Sequence, residues 1–462
     1  MTKYVQTISP IDGHVCGEQR LAHLEDIDVA LDKAVQAGSA WAKMDLSKRL
    51  EILEKAVAAF VAMGDDIAAE ITLQMGRPIS QSGGEVTGFA DRARHMLALA
   101  PEALKDIQPE PIEGVARFVR RVPLGVVVVL APWNYPYLTS VNAIIPALAA
   151  GNCVVLKVSH QTPLSADRYQ EAFGVAGLPD DVFQTVHMDH ALTEYMISDE
   201  RVDYVNFTGS VAGGHAVQKA LSTTFTGSGL ELGGKDAAYV RGDADLGVAV
   251  ESLVDGAFFN SGQSCCGIER IYVHEDVYDA FVSAFVDVTN GYVLGDPRDE
   301  KTTLGPMVRT QNADFVRSQI EDAIKDGARA LIDPAHFPKN KIGTPYLAPQ
   351  VLVDVNHGMR VMREESFGPV VGIQKVQSDV EAVTLMNDSV FGLTASIWTK
   401  DEAIARSLGD DVQTGTVFMN RCDYLDPALA WSGVKQSGRG CTLSTVGYEM
   451  LTRTKSFHLK RT

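Results

Sequence analysis

Between Gly125 and Thr208, short apolar runs alternate with amphipathic segments: Gly125–Leu130, Pro146–Ala150, Cys153–Lys157, Asp167–Ala176, Val182–Val186 and Tyr204–Thr208. Runs this short, separated by stretches long enough for a crossover, specify βαβ units and a parallel sheet. A second alternating block, from Asp236 to about Ala430, carries strand-like Arg270–Val273, Tyr346–Leu352, Val370–Val376, Ser396–Thr399 and Thr416–Asn420 and predicts a second α/β unit. Upstream, from Ile27 to Met75, apolar residues recur at helical spacing (Leu31, Ala34, Val35, then Leu50, Leu53, Ala56, Phe60), which predicts two or three amphipathic helices stopped by Gly76-Arg77-Pro78. A further helix is expected over Val86–Lys105, with an exit from the main body at Gln108-Pro109-Glu110-Pro111. A chain of 462 residues can bury more than one core, so two or three packed units are expected. Val115–Val122 and Thr454–Lys460 alternate in character and lie outside both blocks. Two readings stay open for them: a pair of surface edge strands, or a protruding sheet that pairs with a neighbouring subunit.

Charge narrows the partners. Lys+Arg 41 against Asp+Glu 59 leaves a formal net charge of −18, so nucleic-acid backbones and anionic membrane surfaces repel the chain and neither is an expected partner. The first ten residues carry no basic segment followed by an apolar stretch, and runs such as Val126–Ala131 are far too short to span a bilayer, so a cytoplasmic location is expected. The six cysteines (Cys16, Cys153, Cys265, Cys266, Cys422, Cys441) are too scattered for a disulfide framework, and a reducing compartment is expected. There is no CxxC and no histidine pair at ligand spacing, so no metal site is expected.

Four segments have the residue types that chemistry needs. Cys265 sits in the small-residue loop Phe259-Asn260-Ser261-Gly262-Gln263-Ser264-Cys265-Cys266-Gly267, where a thiolate can be reached by substrate. Taken alone, a free cysteine reads as a small buried hydrophobe, the reading preferred for Cys153, Cys422 and Cys441, with Cys266 ambiguous. Glu231, in Leu230-Glu231-Leu232-Gly233-Gly234-Lys235, is an acid between leucines, and desolvation would raise its pKa toward that of a general base; a solvated strand end is the competing reading. Asn134, in Ala131-Pro132-Trp133-Asn134-Tyr135-Pro136, is held between prolines as an oxyanion donor needs to be, or is an ordinary turn residue. Phe207-Thr208-Gly209-Ser210-Val211 is a glycine turn before a helical pattern, able to hold a phosphate on its amides but not a match to GxGxxG.

Pro132-Trp133-Asn134, Lys157, Phe207-Thr208-Gly209-Ser210, Glu231-Leu232-Gly233-Gly234-Lys235, Gly262-Gln263-Ser264-Cys265 and Glu364-Glu365-Ser366-Phe367-Gly368-Pro369, in this order, resemble the aldehyde dehydrogenase superfamily. The resemblance runs on to Ser437-Gly438-Arg439-Gly440 and so spans nearly the whole chain. It implies an α/β fold with a Rossmann-like cofactor domain (1–108 and 124–232), an α/β catalytic domain (233–430), and a small β oligomerisation arm with the C-terminal tail (109–123 and 431–462). A homodimer or homotetramer acting on a small-molecule aldehyde is implied with it. It also implies NAD or NADP as cofactor, bound through Leu130, Pro132, Trp133, Lys157, His160, Gly209, Ser210, Gly233, Glu365 and Phe367. Within that set Lys157 would meet the adenosine ribose, Ser210 the pyrophosphate, and Glu365 with Phe367 the nicotinamide ribose and ring. Cys265 would attack the carbonyl, Asn134 and the Cys265 amide would hold the oxyanion, and Glu231 would activate the water that hydrolyses the thioester.

Three departures bear on this. Where many NAD-preferring members carry Lys-x-x-Glu, this chain reads Lys157-Val158-Ser159-His160, and loss of that carboxylate removes a charge that repels a 2′-phosphate, so NADP is expected to be tolerated. A lysine found in many members nine residues after the motif Asn is here Ala143, and Gly-Ser-Thr is here Gly209-Ser210-Val211. Substrate specificity is expected near Tyr135, Ser264, Cys266 and Arg421–Asp426. There Arg421 is read either as a surface ion-pair residue or as a partner for the carboxylate of a semialdehyde such as succinate semialdehyde. The competing functions are a CoA-acylating enzyme, against which Glu231 argues, a thiol esterase working without a nicotinamide, and a non-catalytic homologue that keeps the fold.

Overall fold

The computed structural model describes residues 3–461. Its centre is a six-stranded sheet in the order Gly438–Arg439, Gly227–Glu231, Tyr204–Thr208, Val126–Leu130, Cys153–Lys157, Phe183–Thr185, parallel except for the first pair. Val126, Val127, Val128 and Val129 are at most 2% exposed, because helices cover both faces, and each buried valine contributes about 1.5–3 kcal/mol. The chain enters at Val126–Leu130, winds outward to Phe183–Thr185, then returns to the other side of its first strand at Tyr204–Thr208. The strand order therefore reverses between Leu130 and Phe207, and the carboxyl ends of these strands open a crevice there, the usual ligand position in a doubly wound sheet.

The second block forms a seven-stranded sheet in the order Arg329–Ala330, Gln350–Val353, Val370–Val376, Ile268–His274, Asp236–Val240, Thr394–Trp398, Thr416–Met419, parallel except for the short first strand. Apolar clusters fill both its faces, one around Leu253, Phe281 and Trp398, the other around Tyr239, Val316 and Met362. Val370–Val376 spans the residues expected from sequence. The strand expected over Tyr346–Leu352 begins only at Gln350, because Pro349 has no N–H to give to a ladder.

The helical region resolves into Leu24–Lys43, Leu46–Ala62, Gly64–Met75 and Ile79–Ala103, the last starting earlier than expected because Pro78 serves as its N-cap. Pro146–Ala150 is the buried second half of helix Pro136–Ala150; an apolar run so short has no periodicity that separates strand from buried helix. A hairpin of Tyr4–Ile8 and Val15–Arg20 was not expected, although Asp12-Gly13 between alternating residues is a turn signal. It lies against the carboxyl end of the sheet, where Thr7 Oγ1 donates to His160 O at 2.7 Å and Gln161 Nε2 donates to Ile8 O at 3.1 Å.

Val115–Pro123 and Thr452–Lys460 pair with each other along their full length as a two-stranded antiparallel ribbon, with Phe118 stacked on Phe457 at 4.5 Å between centroids. Of the last stretch, 431–462, only this strand lies in the ribbon. Gly438–Arg439 returns to the six-stranded sheet and covers the edge that Gly227–Glu231 would otherwise expose.

Candidate active site

The residues singled out by sequence come from the carboxyl ends of neighbouring strands. Leu130 lies beside Lys157 on one side and Phe207 on the other, and Thr208 beside Glu231, so four strand ends deliver Leu130-Ala131-Pro132-Trp133-Asn134, Lys157, the Gly209-Ser210 turn and Glu231 to one rim. The thiol loop reaches this rim from the seven-stranded sheet, between helix Leu246–Phe258 and strand Ile268–His274.

That loop is held in an unfavourable shape. Asn260 (φ 52°, ψ 33°) and Ser261 (φ 57°, ψ 34°) are left-handed, a conformation that costs non-glycine residues free energy and persists only when the surroundings impose it. The surroundings do so by hydrogen bonds: Ser261 Oγ to Gly305 O at 2.8 Å, Val308 N to Gln263 Oε1 at 2.8 Å, and Asn260 N to Gln81 Oε1 at 3.2 Å. Gly262 continues the turn at φ 70°, and a Cβ there would stand 2.4 Å from Gly368 O, so only glycine lets this loop pass the Gly368-Pro369 segment.

Close approach also joins the other motifs. A Cβ on Gly234 would lie 2.4 Å from Cys265 O, and one on Gly233 would lie 2.2 Å from Glu365 Oε1; the double glycine thus allows both the thiol loop and Glu365 to reach the end of the Glu231 strand. Lys235, buried, pairs with Glu269 and donates to Ser366 Oγ at 3.0 Å, while Glu269 accepts from the amides of Ser366 and Phe367. Phe367, left-handed at φ 48°, meets Trp133 edge-on at 5.7 Å.

Cys265 and Glu231 line one cavity of roughly 340 Å³. Asn134 is buried at the side of the thiol loop, its Nδ2 donating to Gln263 O at 3.2 Å with a second N–H left over. Its backbone is clamped by a buried ion pair: Arg77 Nη1 meets Glu85 Oε2 at 2.5 Å, Arg77 also donates to Asn134 O, and Glu85 accepts from the amides of Tyr137 and Leu138. Breaking so buried a pair by removing one partner typically costs about 3–5 kcal/mol.

Burial raises the pKa of Glu231, opposed by hydrogen bonds from Thr442 Oγ1 at 2.6 Å and Thr208 Oγ1 at 2.9 Å. Thr442→Val removes one of these and keeps the shape, so the Glu231 pKa rises further. If Glu231 must be ionised for turnover, the acidic limb of the kcat–pH profile moves to higher pH by roughly 0.5–1 unit, with the alkaline plateau unchanged. A limb that stays in place breaks the link between this carboxyl and turnover.

On the cofactor side, Ser210 caps helix Val211–Ala220, its Oγ accepting from Gly213 N at 3.2 Å, so amides at the helix start face the crevice at the strand ends. Burial brings the Lys157 ammonium down to about 8; its Nζ donates only to Val158 O at 3.3 Å, with no carboxylate partner among the described residues. Glu365 is pushed up to about 7 by burial, and next by Glu269, and accepts from Gly234 N at 3.0 Å. His160, lowered by burial and by Lys157, holds Met188 O at 3.0 Å. A cation without a carboxylate partner among the described residues, a helix start and a desolvated carboxyl at neighbouring strand ends are the complement of a phosphate-bearing dinucleotide with ribose hydroxyls, and the residues fit such a group.

Arg421 is not among the residues lining the cavity; it is stacked over the Tyr424 ring at 3.4 Å and makes no ion pair among the described residues, so the surface ion pair expected for it is not formed. Cys266, ambiguous in sequence, is buried and donates to Asp423 Oδ1 at 3.0 Å, as does Ser264 Oγ. Sequence reasoning missed Thr442 and Arg92. Thr442 is 211 positions from Glu231, and no local pattern connects them. Arg92 did leave a trace: with Glu85 and Gly88 it falls at helical spacing on one face of Ile79–Ala103.

Comparison with known proteins agrees with this geometry. A family model described as the aldehyde dehydrogenase family matches residues 1–457. The chain belongs to the aldehyde dehydrogenase family. This aldehyde dehydrogenase is 34% identical to the NAD(P)+ succinate semialdehyde dehydrogenase Sad of Escherichia coli, over 96% of this chain and 95% of that one. It is 33% identical to betaine aldehyde dehydrogenase 1 of Rhizobium meliloti, over 98% and 93%. Among solved structures it is similar to the NADP-dependent glyceraldehyde-3-phosphate dehydrogenase of Bacillus halodurans complexed with NADP (TM-score 0.93, 30% identity, covering 100% of this chain and 96% of that one). The enzyme's Rossmann-like α/β architecture is that of these relatives, and no helix among its described residues is long and apolar enough to cross a membrane.

Proposed function

We propose that this aldehyde dehydrogenase oxidises an aldehyde to its carboxylic acid with NAD or NADP as hydride acceptor, using Cys265 as nucleophile and Glu231 as general base. The observation that carries the reading is the shared cavity: Cys265 and Glu231 line it together, and the buried Asn134 amide, behind the lining, is bonded to the thiol loop at Gln263 O. Net, one aldehyde, one oxidised nicotinamide and one water become one acid, one reduced nicotinamide and one proton.

The Cys265 sulfur bonds to the carbonyl carbon, giving a thiohemiacetal whose oxyanion takes hydrogen bonds from the spare Asn134 N–H and the Cys265 amide. The Arg77–Glu85 clamp keeps Asn134 from turning away. When bound, the dinucleotide supplies the acceptor for the hydride that leaves this carbon. Lys157, the helix start at Ser210, Glu365 and Phe367 would hold it, with Leu130, Pro132, Trp133, His160, Gly209 and Gly233 forming the walls of the crevice. Glu231 then takes a proton from water, the hydroxide adds to the thioester, and the C–S bond breaks to return the thiol. Raised by burial, with the hydrogen bonds from Thr442 and Thr208 opposing the rise, the Glu231 carboxylate is a stronger base than a solvated one.

With His160 in place of a carboxylate, no acidic group among the described residues pairs with Lys157 to repel a 2′-phosphate. We expect kcat/KM with NADP to lie within about a hundredfold of that with NAD. Steady-state formation of reduced nicotinamide over aliphatic, aromatic and carboxylated aldehydes with both cofactors tests the whole reading. Failure of every aldehyde to reduce either cofactor overturns it, and a larger NADP deficit overturns the His160 argument alone.

The ribbon of Val115–Pro123 and Thr452–Lys460 pairs with no further strand among the described residues, its outer contacts being single bridges from Ile107 and Ile112, which supports a role as the arm of a homodimer or homotetramer. The working units are then 1–108 with 124–232 for the cofactor, 233–430 for the thiol, and the ribbon for assembly. Six free cysteines and the acidic balance suit the reducing cytoplasm.

A further inference from the structure

One face of helix Ile79–Ala103 forms a wall of the cavity, carrying Gln81, Gly84, Glu85, Gly88 and Arg92. Gly84, on this wall, is exposed and a Cβ there would meet nothing within 4 Å, so the wall leaves open space at that point, while Gln81 holds the thiol loop by accepting from Asn260 N at 3.2 Å. The two cations of the lining differ in one respect. Arg77 is paired with Glu85, whose other oxygen is taken by the amides of Tyr137 and Leu138. Arg92 has only the carbonyl of Leu138 as acceptor and makes no ion pair among the described residues, although its guanidinium offers five N–H donors and stays charged at any working pH. A half-buried guanidinium without a counter-ion is costly unless something else supplies the anion. Arg92 shares the lining with Cys265, Cys266 and Glu231, and the acidic groups whose charge reaches it are Glu85, Glu231, Asp423 and the two thiols, so it lies at the reacting end of the cavity.

Resting on the aldehyde-oxidation reading, we infer that Arg92 is the substrate anchor, and that the preferred substrates are aldehydes carrying a carboxylate at the far end of a short chain. The carboxylate completes the hydrogen bonding of Arg92 and leaves the carbonyl free to reach Cys265. The remaining carboxyl groups of the lining do not offset this. Asp91 and Asp255 are exposed at the rim, Glu85 is consumed by Arg77, and Asp423 is occupied by Ser264 and Cys266.

The test compares kcat/KM of the full chain for 4-oxobutanoate, its neutral methyl ester and the cationic 4-aminobutanal. In the wild type the acid exceeds the ester by about 50-fold, Arg92→Gln erases that margin while leaving the ester within about threefold, and Arg92→Lys restores part of it. The unchanged ester rate shows that the variant is folded and its chemistry intact. If acid and ester are oxidised equally by the wild type, or Arg92→Gln lowers both alike, the anchor is overturned. If 4-aminobutanal is preferred, Asp423 or Asp255 meets the substrate and the inference is overturned in favour of a cationic class. If none of the three reduces the cofactor, the underlying oxidation reading fails instead.

Discussion

Replacing Cys265 by alanine lowers kcat for aldehyde oxidation by about 10⁴-fold or more, because the covalent route through this thiol disappears and Cys266, which also lines the cavity, is buried and bonded to Asp423. The neighbouring thiol is the control. Cys266 is buried and turned toward Asp423, so Cys266→Ala leaves turnover within about tenfold of the wild type. Dinucleotide binding, read by fluorescence, is unchanged in both variants because neither thiol belongs to the crevice at the strand ends. A Cys265→Ala protein that keeps more than about one per cent of its turnover removes the nucleophile from this residue.

Glu231→Gln separates the two halves of the cycle. The amide keeps a carbonyl oxygen for one of the two threonine hydroxyls and turns its NH2 to the other, which then accepts, but it cannot take a proton from water, so acylation survives and hydrolysis fails. We expect a rapid burst of reduced nicotinamide close to one equivalent of enzyme, followed by a steady state about 10²–10³-fold slower than wild type. Mass spectrometry of the quenched burst should find the acyl group on Cys265. Loss of the burst together with the steady state assigns Glu231 to the thiol step, and unaltered turnover makes it structural. The Glu231 carboxyl has its pKa raised, so the fraction able to act as base falls as pH drops through that raised value, and wild-type kcat declines at a pH above that of an ordinary carboxylate.

The pair Arg77–Glu85 illustrates how a site rests on distant sequence. Gly76-Arg77-Pro78 is legible as a helix stop, but Arg77 also reaches Asn134, which lies 57 positions away. Nothing in local periodicity announces such a contact; it depends on helix Ile79–Ala103 packing along helix Pro136–Ala150, and thus on the tertiary arrangement of two covering helices. Arg421 and Arg92 make the same point for the substrate. Both are arginines in suitable surroundings, and only the cavity lining distinguishes the one stacked on Tyr424 from the one facing the thiol loop.

Alternating short apolar runs were sufficient to determine a parallel α/β fold, because strands buried on both faces need continuous apolar stretches and their crossovers need length. The ordered motifs around Asn134, Glu231, Cys265 and Glu365 were sufficient to determine the family, because each marks a strand end or loop that this fold brings to one rim. Tertiary structure alone decided which acids and bases share an environment: that Glu231 is held by Thr442, that Asp423 is occupied by the residues flanking the nucleophile, and that Arg92 makes no ion pair among the described residues. The physical reason is range. Backbone preference and amphipathic periodicity act over a few residues and can be read along the chain, whereas charge pairing and desolvation act through space between residues whose separation in sequence carries no signal.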